Sequence, residues 1–174
     1  MTSTPTPAEI RADLVEKLQA HHDEMIATVR QRSDAEWRRP PEPGEWSALQ
    51  QLEHQLLADD VWMSMAAKTA AASDEPDLAA EWAKYRIIEE SNPFPPPGDP
   101  RTLDELIGLL EERHRKNLEI VASIPDEAFG KRGLNTGWGN LTVIQMLRGV
   151  YRHYRMHIDQ IEQKEQSFTP QRVQ

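Results

Sequence analysis

The chain has 174 residues, contains no cysteine and carries a formal net charge of −9 at pH 7. The lack of cysteine excludes disulfides, thiolate metal sites and cysteine nucleophiles, and it leaves histidine, aspartate and glutamate as the metal ligands. The acidic charge opposes a nucleic-acid partner, because binding to a phosphate backbone depends on a basic protein surface.

The length predicts one domain, residues 1–174, that can bury a core without disulfides. Residues 1–9 are polar and lack the basic and apolar regions of a secretory signal. Because no apolar run approaches the length of a membrane span, we expect a cytoplasmic protein with no membrane partner.

Apolar residues recur at helical spacing along the chain, and the alternating runs that predict strands are missing. The predicted fold class is therefore all-α. Each of four helices is expected to begin at a Ser or Thr followed three residues later by Glu or Gln, because these two residues satisfy each other's free backbone N–H groups. These pairs are Thr6/Glu9, Ser47/Gln50, Thr102/Glu105 and Thr142/Gln145, and they predict helices over residues 7–32, 47–72, 102–123 and 141–166.

The connection between the second and third predicted helices is long and covers residues 73–101. We expect a short helix over residues 77–90, followed by a proline-rich turn over residues 92–100. A connection of this length can carry the chain back along the whole bundle, so the second and third helices can run parallel, as in bundles with a crossover.

Three histidines form the main candidate site. His153 and His157 lie four residues apart in the last predicted helix, so they project from one face and can reach a single ion. His54 in the second helix shares a face with apolar residues and is predicted to point inward as well. Burying several imidazoles without partners is costly, and one divalent metal ion would give all three a partner. The alternative is three core histidines that are each satisfied by one hydrogen bond.

The positions of these histidines also bear on topology. His54 lies roughly seven residues into its helix and the other two lie roughly twelve and sixteen into theirs, so a parallel pairing would separate them by roughly 8–13 Å along the axis. An antiparallel pairing of the second and fourth helices reduces this offset, and the long crossover permits it.

The remaining histidines, His21, His22 and His114, are flanked by charged residues in the sequence. Charged neighbours are typical of a helix face in contact with water, so we predict that these three side chains are solvated. They are not assigned to the candidate metal site.

Glu53 and Asp60 lie among the leucines of the second predicted helix, although carboxylates are seldom found among apolar residues unless they are paired. We expect them to pair with arginines of the last helix, namely Arg148, Arg152 or Arg155. A role for Glu53 beside the metal is the alternative hypothesis.

The tryptophans fall into two groups. Trp46, Trp62 and Trp82 are predicted to be packing residues. Trp138 is flanked by two glycines in a predicted flexible loop and could instead form the wall of a pocket.

Trp46 and Ser47 at the start of a helix, His54 seven residues after Ser47, and His153-x-x-x-His157 in the last long helix resemble the DinB-like (DinB/YfiT-like) superfamily of bacterial four-helix metalloproteins. The resemblance covers most of the chain. It implies an up-down-down-up bundle, a divalent ion such as zinc or nickel on the three histidines, and a homodimer. It also implies the activities of the better understood members, which are thiol-cofactor-dependent S-transferases and isomerases or metal-dependent hydrolases.

A three-histidine site leaves at least one position open for water or substrate, which is typical of catalytic zinc sites. The leading hypothesis is therefore a metal-dependent enzyme acting on a small molecule. The resemblance implies that this enzyme is an S-transferase that uses a low-molecular-weight thiol. A metal-dependent hydrolase is the first alternative. The second is a non-catalytic metal-binding or stress-response module, which would explain why no convincing general base, and so no catalytic residue, can be assigned.

Overall fold

The computed structural model describes residues 5–90 and 101–162, without the side chains of residues 85–90. The all-α prediction is confirmed, and the one pair of strands in these ranges is two residues long on each side. The elements are α1 (Pro7–Arg30), α2 (Asp34–Arg38), α3 (Ala48–Ala71), α4 (Ala79–Glu90), α5 (Leu103–Ser123), a 3-10 turn (Asp126–Ala128), β1 (Arg132–Gly133), β2 (Leu141–Thr142) and α6 (Val143–Ile161).

The helix starts follow the predicted capping residues. In all four predicted pairs the Ser or Thr side chain accepts the backbone N–H three residues on, and the Glu or Gln side chain accepts the backbone N–H of the cap. A fifth pair of this kind, Ser33 and Glu36, begins α2, which the sequence analysis did not predict. The predicted turn over residues 92–100 and the predicted helical residues 163–166 lie outside the described residues.

Contacts between α1 and α6 show that these two helices run parallel. Arg148 Nη2 lies 4.0 Å from Asp13 Oδ2, and further along both helices Arg155 Nη1 lies 2.6 Å from Glu24 Oε1. Residue numbers therefore increase in the same direction along both helices.

The other neighbours of these two helices run in the opposite direction. In α1 and α5, Arg11 bonds to the carbonyl of Val121 while Arg30 faces Glu111, so the two helices are antiparallel. In α3 and α6, Trp62 lies over Gly149, whereas His54 lies beside the later residues His153 and His157.

The four long helices consequently form a bundle in which α3 packs beside α6, α6 beside α1, α1 beside α5, and α5 beside α3. Helix α3 is antiparallel to α6, and α5 is antiparallel to α1. Because α1 and α6 are parallel to each other, α3 and α5 are parallel as well. The up-down-down-up order and the antiparallel pairing of α3 with α6 agree with the sequence analysis.

The core lies between these four helices and takes an apolar stripe from each. α3 contributes on nearly all sides, because α4, α5 and α6 all pack against it. Fully buried side chains of the core include Leu14, Leu52, Leu110, Met146 and Tyr154. Within the described ranges, no helix combines the length and apolar character needed to cross a lipid bilayer.

Candidate metal centre

The candidate centre lies between α3 and α6, near the first turns of α3 and the last turns of α6. Gly149 of α6 faces the ring of Trp62 of α3, which would lie in van der Waals contact, at 3.4 Å, with an added Cβ. The antiparallel direction then places the early residue His54 opposite the late residues His153 and His157.

The structure brings together the three histidines that the sequence analysis selected. His153 Nε2 lies 3.2 Å from His54 Nε2 and 3.0 Å from His157 Nε2. One ring nitrogen from each residue lies within 4.8 Å of the other two, and all three side chains are buried. The cluster can therefore offer three nitrogen atoms to one ion.

The electrostatics of the cluster keep the imidazoles neutral at pH 7. Burial lowers the pKa of His54 to about 4 and that of His157 to about 3. Burial also holds the pKa of His153 well below its usual range, and the neighbouring His157 and His54 lower it further. Neutral imidazole is the form that binds metals.

Gln160 fixes the orientation of one of these rings. Its Oε1 lies 2.9 Å from His157 Nδ1. Because an amide oxygen only accepts hydrogen bonds, Nδ1 must carry the proton and donate it, which leaves the lone pair on Nε2 inside the cluster. Carbonyl oxygens that hold metal-binding histidines in this way are a common feature of metal sites.

The donor set fits a divalent transition metal. Imidazole nitrogen suits zinc, nickel, copper and iron, and no carboxylate of the described residues joins the group of three. Three protein ligands on a metal leave at least one position for water or substrate.

A pocket of about 470 Å³ opens beside the cluster. It is lined by the chain from the end of α1 to the first turn of α3 and by the end of α6, and its wall includes Trp46, Gln51 and Gln160. The ring of Trp46 also contacts His54, with 5.0 Å between the two ring centroids. Small-molecule sites have volumes of roughly 300–1,000 Å³, so the pocket has the size of such a site.

Two of the histidines predicted to be solvated are buried. His22 in α1 and His114 in α5 stack on each other inside the bundle, with 4.1 Å between ring centroids and 6° between ring planes. The prediction was wrong because charged neighbours in sequence lie on other faces of a helix, whereas His114 follows Leu110 by one turn on the buried face. His21 is half-buried and stacks on Tyr151.

The predicted pairing of Asp60 with an arginine of the last helix was also wrong. Asp60 forms a bidentate ion pair with Arg113. Arg113 belongs to α5, the helix that packs beside α3. Arg148 and Arg155 instead face α1, which is the other neighbour of α6.

Glu53 does not join the histidine cluster among the described residues. Its side chain is buried, and burial raises the pKa of its carboxyl group. The positive charges of Arg101 and Arg38 oppose that shift, so Glu53 faces these arginines rather than those of α6.

A buried carboxylate that the sequence analysis did not select lies at the centre of the bundle. Asp59 accepts hydrogen bonds from Gln55 at 2.6 Å and from Asn117 and Tyr154 at 3.0 Å each. Burial raises the pKa of its carboxyl group to about 7 despite these bonds. This network connects α3, α5 and α6.

Trp138 lies away from the candidate centre. Its ring packs edge-to-face against Trp82 of α4, with 6.0 Å between centroids. Because α4 follows the end of α3 whereas His54 lies near its start, this loop covers the opposite end of the bundle and does not form the wall of the pocket beside the histidines.

Spacing alone could have found two residues of this site that the sequence analysis missed. Gln160 follows His157 by one helical turn, and Gln51 precedes His54 by one turn, so each shares a face with a candidate ligand. No local signal marks the pocket residues that precede α3, because their position depends on how the chain folds back between α1 and α3.

Comparisons with known proteins agree with this fold. YfiT from Bacillus subtilis, described as a probable metal-dependent hydrolase with an unusual four-helix bundle topology, superimposes with a TM-score of 0.69 at 14% identity, over 94% of this chain and 89% of that one. A histidine-to-alanine mutant of a mycothiol-dependent maleylpyruvate isomerase superimposes with a TM-score of 0.60 at 12% identity, over 89% of this chain and 62% of that one. Among curated protein sequences none matches this chain. The sequence model of the DinB superfamily matches residues 17–161, and the chain therefore belongs to that superfamily.

Proposed function

We propose that this protein is a metal-dependent enzyme acting on a small molecule, with one divalent ion held by His54, His153 and His157. The observation that carries the proposal is the convergence of three buried imidazoles beside a pocket of about 470 Å³. Zinc or nickel is the expected ion, because both suit imidazole ligands.

We further propose that the reaction transfers the sulfur of a low-molecular-weight thiol to an electrophilic carbon. A divalent ion at this site would lower the pKa of a thiol or water molecule that binds to it. The thiol must be a co-substrate, because the chain has no cysteine. The new sulfur–carbon bond replaces the bond to a leaving group, which departs with the bonding electrons, and the proton of the thiol passes to solvent or to the leaving group.

The residues of the chain have separate tasks in this scheme. The three histidines would bind the metal ion. Gln160 orients His157 by accepting its Nδ1 proton, and the ring of Trp46 packs against His54 at the edge of the site. No carboxylate of the described residues joins the cluster to act as a general base. Thiol chemistry suits such a site, because coordination alone favours the thiolate form.

A metal-dependent hydrolase is the second candidate. An open position on the ion would admit water as readily as a thiol, and the structural neighbour YfiT is described as a probable metal-dependent hydrolase. The two candidates differ in whether turnover requires an added thiol.

The test is a kinetic assay of the metal-loaded protein with 1-chloro-2,4-dinitrobenzene and a panel of low-molecular-weight thiols, beside a panel of p-nitrophenyl esters without thiol. We expect thiol-dependent release of chloride above the rate of a His153→Ala control. Ester hydrolysis alone above that control would favour the hydrolase. If neither rate exceeds the control, the enzyme proposal fails and a non-catalytic metal-binding module fits the protein better.

A further inference from the structure

We infer that the pocket beside the histidine cluster binds a small organic anion through its carboxylate group, which Arg32 and Arg39 hold. The inference rests on the proposed function for the reacting end of the ligand and adds the chemical class of the substrate. The carboxylate can belong to the thiol or to its reaction partner.

The pocket adjoins the candidate metal centre through three of its lining residues. Gln160 bonds to His157, the ring of Trp46 contacts His54, and Gln51 lies one helical turn before His54. A molecule in this pocket therefore has one end next to the histidines.

Two arginines line the same pocket and remain available to a ligand. Neither Arg32 nor Arg39 forms an ion pair with any residue in the described ranges, 5–90 and 101–162. The guanidinium carbon of Arg32 lies 5.9 Å from the centroid of the Trp37 ring, which is itself fully buried.

Among the residues that the structure describes, the one carboxylate in the pocket wall is that of Glu36, and it bonds within its own helical turn. Its Oε2 accepts hydrogen bonds from the backbone N–H and the hydroxyl of Ser33, at 2.7 Å each. These bonds lower the pKa of Glu36, and the charges of Arg32 and Arg39 lower it further. Glu36 thus stays ionised, but its Oε2 is bonded to Ser33 at the start of α2, so a ligand carboxylate can still bind the guanidinium groups of Arg32 and Arg39.

The chemistry of the lining selects a carboxylate attached to a carbon skeleton. Guanidinium groups bind carboxylates through paired, charge-assisted hydrogen bonds. The protein has a net charge of −9, yet of the three charged side chains that the described residues contribute to this wall, two are positive. Pro40, Pro41 and Ile161 add apolar surface for the rest of the ligand. The buried amide of Gln51 supplies a polar group at the inner end.

The test is calorimetric titration of the metal-loaded full-length protein with three probes: reduced glutathione, its diethyl ester and succinate. The ester keeps the thiol but masks both carboxylates, and succinate carries carboxylates without a thiol. The pocket variant is Arg32→Gln/Arg39→Gln. The control variant is Arg115→Gln/Arg132→Gln, which removes two exposed arginines that pair with surface carboxylates elsewhere.

We expect at least one of glutathione and succinate to bind the parent, and the pocket variant to bind it about tenfold more weakly or worse. The control variant should bind like the parent, and the affinity for the ester should not depend on the arginines. Tight binding of glutathione assigns the carboxylate to the thiol, whereas binding of succinate alone assigns it to the other substrate.

Two outcomes would overturn the inference: neither anion binds the metal-loaded parent, or the pocket and control variants bind with equal affinity. These outcomes differ from a failure of the proposed function. A parent that contains no metal refutes the proposed function, whereas a metal-loaded, active parent that gives either of these two outcomes refutes only the carboxylate site.

Discussion

Gln160 is the residue beside the cluster whose role is best defined by geometry. Its Oε1 accepts a hydrogen bond from His157 Nδ1 at 2.9 Å, so Nε2 of that ring carries the lone pair that can bind a metal ion. The three proposed ligands, His54, His153 and His157, are brought together by the fold, whereas their binding of a metal stays a prediction.

Replacing Gln160 should therefore weaken metal binding without removing a ligand. We expect Gln160→Leu to lower the affinity for zinc by about 10- to 100-fold, because the orientation and tautomer of His157 are no longer fixed. Gln160→Glu keeps an acceptor oxygen and should bind zinc like the parent. Zinc titration in competition with a coloured chelator measures both variants, and a Leu variant with the affinity of the parent would show that the bond to His157 is incidental.

Asp59 should make the stability of the protein depend on pH. Burial raises the pKa of its carboxyl group to about 7, whereas an unfolded aspartate titrates near pH 4. Between these values the folded protein holds a proton that the unfolded chain has released. The contribution of Asp59 to the free energy of unfolding therefore falls as the pH rises from about 4 to about 7.

The variant Asp59→Asn should remove this fall. The free energy of unfolding of the variant minus that of the parent should therefore rise by roughly 1–3 kcal/mol from pH 5 to pH 8, as measured by urea denaturation at both pH values. The buried histidines titrate in both proteins and cancel in the comparison. A difference between parent and variant that stays the same at both pH values would contradict the raised pKa.

The loop before α6 is anchored to α4 at Gly137. This residue has a φ of +78°, and an added Cβ would lie 1.8 Å from Trp82 Cε2. Backbone hydrogen bonds between Leu78 and Leu134 and between Leu134 and Pro76 hold the same two segments together. The conformation and the close contact both require glycine.

We expect Gly137→Ala to lower the free energy of unfolding by about 2 kcal/mol or more, because it combines backbone strain with a steric clash. Gly108→Ala is the matched control, since Gly108 lies within α5 and an added Cβ meets no atom within 4 Å. That variant should gain about 0.5–1 kcal/mol. Urea denaturation measures both, and equal effects would argue against the anchoring role of Gly137.

The helix starts could be predicted from the sequence because capping is local. Thr6 and Glu9, for example, satisfy each other within a single turn, whatever the rest of the chain does. The stacking of His22 on His114 could not be predicted, because it depends on which helix packs beside α1. The charged residues around His114 also misled the prediction, since they occupy other faces of α5.

The up-down-down-up order of the four long helices positions the candidate site. Antiparallel packing of α3 against α6 places His54 opposite His153 and His157, and the resemblance and the histidine offsets both indicated this arrangement. The site therefore lies where α3 begins and α6 ends. The end of α1 reaches the same end of the bundle and brings Arg32 to the pocket. Sequence spacing had no means of predicting that contact.

Elemental analysis of untagged protein shows whether three histidines hold one divalent ion. The comparison is between the parent, a variant with His54, His153 and His157 all replaced by alanine, and a His21→Ala control. We predict about one equivalent of zinc or nickel in the parent and in the control, and almost none in the triple variant. Equal, trace metal in all three proteins would mean that the three histidines are ordinary core residues and bind no ion.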